Sequence, residues 1–201
     1  MKKIILLAAI FIASLKGFSQ ENKNCINVTG INQVAIAPTY TAKMMVSLQN
    51  VYYDSQISNL EEIKSGYMDK LTKAGIKSSS IKIDQLYYDL MGYDKKGLVI
   101  EFQTPSIIEL QKFLNIRSLG VRNIENKYKV EFTEEQLAEY AKGAFDNAKK
   151  KALSIAKKLD KNIGSIIYLT DNNANTIEKS WHDGSSKNLL DYSISVSFEL
   201  L

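Results

Sequence analysis

The sequence predicts an α+β fold, and three observations carry that prediction. Near the end of the chain Tyr192, Ile194, Val196, Phe198 and Leu200 alternate with Ser193, Ser195, Ser197 and Glu199. That period of two buries one face of a strand and leaves the other wet. Upstream, Leu137, Ala141, Ala144, Ala148, Ala152, Ile155, Ala156 and Leu159 recur at helical spacing between Glu134 and Leu159. Strand and helix signals then follow one another along the chain as β-β-α-β-β-α-β-α-β-β, a mixture that fits neither an all-helical nor an all-β class.

Each element has a local reason. Tyr128, Val130 and Phe132 against Lys127, Lys129 and Glu131 form a second alternating strand. Weaker strand signals cover 27–37, 41–53, 81–90, 98–103 and 163–170. Ser58-Asn59-Leu60-Glu61 reads as a capping box opening a helix. Its apolar stripe is Ile57, Leu60, Ile63, Tyr67 and Leu71, and Gly75 is its stop. Thr104-Pro105 supplies an N-cap and first turn for a short helix carrying Ile107, Ile108 and Leu114. Thr133 and Gln136 have capping-box spacing ahead of the long helix, with Glu134 and Glu135 at its positive end and Lys157 and Lys158 at its negative end. Residues 40–132 therefore read β-α-β-β-α-β, the split pattern of a ferredoxin-like unit. Residues 25–37 and 133–201 supply a second layer: the first strand, the Ala-rich helix and the last two strands.

The chain has 201 residues, 45% of them apolar, with 2 Pro and 10 Gly, a composition that can bury a core. Residues 1–19 read as a secretory signal: Lys2 and Lys3, an apolar run from Ile4 to Leu15, then Gly17-Phe18-Ser19 before the cleavage point. The run is too short to span a bilayer as a helix, so no transmembrane anchor is expected after cleavage. Loss of Lys2, Lys3 and Lys16 lowers the net charge from +4 to +1. A near-neutral chain has no electrostatic drive toward nucleic acid. Cys25 is the single cysteine, so no intrachain disulfide forms, and pairing of Cys25 between chains stays open.

Several stretches resemble the SIMPL domain (DUF541) family. The strongest runs from Ala144 through Ala148, Ala152 and Ala156 to Gly164, similar to that family's Ala-rich, Lys-studded helix and the turn that follows it. Asn27-Val28-Thr29-Gly30 resembles its first strand, Leu71-Thr72-Lys73-Ala74-Gly75-Ile76 the end of its first helix, and Ser193–Leu200 its closing strand. The chain departs from the pattern at Asn32, Thr39 and Asp160. The resemblance, spanning most of 20–201, implies an exported, envelope-located α+β protein, periplasmic or extracellular, with no established catalytic centre.

Reactive chemistry is sparse. His182 is the single histidine, and a triad would need it with Cys25 or a serine; no nucleophile elbow accompanies it. Trp181-His182-Asp183-Gly184 is expected as an exposed turn with an aromatic prop. One His and one Cys cannot form a His/Cys zinc cluster, and Asp171-Asn172-Asn173 lacks EF-hand spacing. No metal or cofactor is expected, nor an enzyme. Tyr52, Tyr53, Tyr87 and Tyr88, with Trp181 and His182, form the candidate binding surface, the tyrosines being expected on strands. The reading is a non-catalytic envelope protein with a structural or protein-interaction role, a homo-oligomer or bound to another envelope protein. The alternatives are a small-ligand or lipid-binding module built on the Tyr-rich strands and a hydrolase built on His182.

Overall fold

The computed structural model describes residues 24–51, 59–181 and 188–201. Among them are eight strands, β1 (Cys25–Ala35), β2 (Thr39–Ser47), β3 (Ile81–Asp84), β4 (Gly97–Thr104), β5 (Val121–Glu131), β6 (Ile163–Asp171), β7 (Thr176–Ser180) and β8 (Leu189–Leu200). Four α-helices join them, α1 (Leu60–Lys73), α2 (Gln85–Leu90), α3 (Ile107–Asn115) and α4 (Glu134–Lys158). The fold is α+β, with a three-stranded sheet ordered β1-β8-β6 and a five-stranded sheet ordered β3-β4-β2-β5-β7. The chain divides into two compact units, and the division falls within β1, α4 and β8.

One unit comprises Gln33–Tyr140 and Asn173–Tyr192. Its sheet contains the expected ferredoxin-like order: β2 is central, antiparallel to β4 on one side and β5 on the other, and β3 flanks β4. Alternation puts Tyr40, Ala42, Met44 and Val46 of β2 and Leu98, Ile100 and Phe102 of β4 in one core. Ile63, Tyr67 and Leu71 of α1 and Leu110 and Phe113 of α3 cover that face.

Three corrections apply here. The segment expected as one strand over 81–90 stops at Asp84, whose side chain accepts the Tyr87 N–H at 2.9 Å and caps helix α2. That cap outweighs the β-propensity of Tyr87 and Tyr88. The caps of α1 and α3 are Asn59 and Ser106, not Ser58, which lies outside the described residues, or Thr104. Thr104 instead holds Glu109 at 2.6 Å and accepts the Ser106 N–H, and Ile108 is exposed while Leu110 and Phe113 are buried. No strand is expected between residue 170 and Tyr192, yet β7 pairs with β5 and extends the sheet.

The other unit comprises the described residues up to Asn32, Ala141–Asn172 and Ser193–Leu201. Ile194, Val196 and Phe198 of β8 are buried, as the alternation requires. Ala144, Ala148, Ala152 and Ala156 line the buried face of α4, whereas Ile155 and Leu159, expected on that stripe, are exposed. Both long helices close with the same pair of reversed hydrogen bonds. In α1, Ile76 N–H reaches Leu71 and Gly75 N–H reaches Thr72; in α4, Lys161 N–H reaches Ala156 and Asp160 N–H reaches Lys157. The closing residue is left-handed in each, Gly75 at φ 79° and Asp160 at φ 54°. A side chain there costs about 1–2 kcal/mol, while a glycine adds about 0.4–1 kcal/mol of unfolded-state entropy. Asp160→Gly should therefore raise stability by about 0.5–1 kcal/mol, read as a higher urea midpoint at unchanged slope.

Candidate functional site

The face of the five-stranded sheet turned away from α1 and α3, partly covered by α2, carries a charged ladder. Register pairs Lys43 of β2 with Glu101 of β4 and with Glu125 of β5. Its ammonium lies 3.3 Å from Glu125 and 3.9 Å from Glu101, and 4.0 Å above the Tyr87 ring. Glu125 also receives the Tyr87 hydroxyl at 3.1 Å and Lys127 at 2.6 Å, and Lys127 reaches Glu178 at 3.1 Å. Burial raises the Glu125 carboxyl, but the hydrogen bonds from Lys127, Tyr87 and Lys43 outweigh it and hold the group below its ordinary value of 4.5. The Glu125 and Glu178 carboxylates raise Lys127. With two lysines facing three carboxylates, this network keeps one net negative charge and holds the sheet face polar.

A depressed carboxyl gives stability that is complete above the unfolded value and fades as pH falls through the folded one. Glu125→Gln should thus cost about 1 kcal/mol at pH 7. The gap to the parent chain should narrow progressively below pH 4.5, measured as urea midpoints across pH 2.5–7.

The candidate binding residues separate. Tyr52, Tyr53 and His182 lie outside the described residues. Tyr87 and Tyr88 stand on α2 rather than on a strand. Tyr88 is buried against Met45 and Val99, and its hydroxyl meets Ser47 Oγ at 2.6 Å and donates to the Lys95 carbonyl at 2.6 Å. It packs this closely because Gly97 has no side chain: a Cβ there would sit 2.3 Å from the Tyr88 ring. Tyr88 and Tyr93, 5.8 Å apart, edge an open depression of about 380 Å³ that also meets Asp89, Asp94, Lys95 and Lys96. Trp181, expected on an exposed turn, is 5% exposed in the core, 6.3 Å from Tyr40. Its N–H continues the β7 ladder to the Asn126 carbonyl at 2.9 Å, and that extra strand draws the indole inward.

In the other unit, an apolar surface not foreseen as a site is exposed. β6 is an edge strand, and Ile166, Ile167, Tyr168 and Leu169 are 49%, 44%, 62% and 47% exposed. Register shifts against β8 align Ile166 with Phe198 and Leu169 with Val196, but Tyr168 with Ser197, so both faces of β6 carry apolar side chains. Leu153, Ile155 and Leu159 of α4 are exposed as well. The signal in the sequence was the unbroken run Ile166-Ile167-Tyr168-Leu169, too apolar for a strand with one wet face.

Among the described residues no three His, Cys, Asp or Glu side chains are placed to hold one metal ion, and no helix is long and apolar enough to cross a membrane. The chain matches no protein-family model and no curated protein.

Proposed function

We propose that this chain is an exported, non-catalytic protein of the cell envelope, of the SIMPL kind, with a structural or protein-interaction role exercised through self-assembly. The observation that carries this reading is the apolar edge strand β6, whose four consecutive large side chains are each at least 44% exposed. A paired strand has its backbone groups satisfied on both sides, whereas an edge strand offers a row of them to another chain. Apolar exposure at such an edge favours a protein partner, because burying it is the main source of association energy. The Lys2-Lys3 start, the short apolar run and Gly17-Phe18-Ser19 support export.

Light scattering on the purified chain across a hundredfold concentration range tests the role. Multimers are expected, and a monomer throughout would refute self-assembly. Intact mass of the chain recovered from the periplasm or medium tests export, with loss of residues 1–19 expected.

A further inference from the structure

The geometry points to a second copy of this chain as the occupant of the β6 edge, paired antiparallel about a twofold axis at Ile166; this rests on the self-assembly reading above. The two edges of the three-stranded sheet are treated differently. At β1, α4 supplies partners to the backbone: Ile31 N–H donates to Asn147 Oδ1 at 3.0 Å, and the Thr29 carbonyl accepts Lys151 Nζ at 2.8 Å. Such side-chain partners block another strand from docking. β6 lacks the charged and proline protections of an edge strand, although two register shifts against β8 interrupt it on either side of Ile166. Between Ile163 and Asp171 there is no Lys, Arg or Pro, and the only charge is Asp171 at the far end.

Charge selects the register. Antiparallel pairing about Ile166 sets Ile166 against its own twin, Ile163 against Leu169, and Gly164 against Tyr168, an aromatic covering a glycine. It also sets Lys161 of each copy opposite Asp171 of the other, twice by symmetry. The ladder with β8 runs to Asn162, which exchanges backbone hydrogen bonds with Leu201 at 3.0 and 2.8 Å, and Lys161 adjoins it in the turn that closes α4. A slip of one residue puts Lys161 opposite Thr170 or Asn172, and a slip of two puts it opposite Leu169 or Asn173. Only pairing about Ile166 opposes unlike charges at both ends. The strand and the turn just before it thus supply both halves of their own complement. The product is a continuous six-stranded sheet, three strands from each copy.

Single cysteines in a Cys25→Ser background test this. Under mild oxidation Ile166→Cys should give a disulfide-linked dimer. Leu169→Cys should not, because its twin would be six residues away along the strand, roughly 20 Å, against a limit of about 7 Å between disulfide-bonded Cα atoms. In parallel, Ile167→Lys/Leu169→Lys in the otherwise unaltered chain should halve the mass seen by light scattering, with unchanged circular dichroism. An assembly that survives the lysine pair and shows no Ile166→Cys dimer overturns β6 pairing while leaving self-assembly standing. Equal cross-linking at both positions overturns the register. A parent chain that is monomeric throughout overturns both.

Discussion

Replacing Gly30 with alanine is expected to destabilise the Ala-rich unit by about 3 kcal/mol or more, the upper end of what overpacking costs. A Cβ at this position would fall 1.9 Å from the Ala144 carbonyl oxygen and 2.8 Å from the Ala148 Cβ. The nearer atom belongs to the helix backbone, so no rotamer change relieves it, and α4 as a whole would have to lift. Lifting it would strain two hydrogen bonds that tie helix to strand at the same height, Ile31 to Asn147 and Lys151 to Thr29. It would also expose Ala144, Ala148, Ala152 and Ala156, now at most 1% exposed. Guanidinium denaturation measures the loss, and hydrogen exchange of the Ala144–Ala148 amides locates it. The double variant Gly30→Ala/Ala148→Gly separates the two contacts. It should recover less than about 1 kcal/mol, since it removes only the side-chain clash. Full recovery would show that the Ala148 methyl, not the helix backbone, sets the spacing.

The second large effect is expected from Phe113→Ala, at about 4 kcal/mol. Phe113 is fully buried on α3, stacked on Phe102 at 4.6 Å between ring centres and edge-on to Tyr67 at 6.4 Å. Truncation removes the transfer energy of the ring and leaves a cavity between helix and sheet that rigid neighbours cannot fill. Phe113→Leu preserves most of the volume and should cost about 1.5 kcal/mol, the limit for a volume-conserving change. Equal losses for Ala and Leu would mean that the aromatic stack, rather than the filled volume, dominates. Both are read as denaturant midpoints, with near-ultraviolet circular dichroism reporting the aromatic cluster.

The candidate surface was legible only in parts. Tyr87, Tyr88 and Trp181 stand out in the sequence as aromatic, but their placement depends on neighbours distant in the chain. Tyr87 faces Lys43 and Glu125, Tyr88 fills the space that Gly97 leaves, and Trp181 is drawn into the core beside Tyr40. The charged ladder around Lys43 needs three strands in register before it exists at all. β6 is readable as a strand, while its exposure is not readable, because an apolar run looks the same whether it ends at the centre of a sheet or at its edge.

By itself the sequence determined what local periodicity and capping chemistry can encode. That covers the α+β class, the two-residue period of β8, the capping box at Thr133 and Gln136 that opens α4, and the succession of four strands in residues 40–132, though not the helix α2 between β3 and β4. The tertiary structure alone decided how those pieces pair: that β7 joins β5, that Gly30 makes room for Ala144, and that β6 lies at an edge. The physical reason is range. Periodicity and caps act over a few residues of chain, whereas strand order and close packing are fixed by burial and hydrogen bonding between segments distant in the chain.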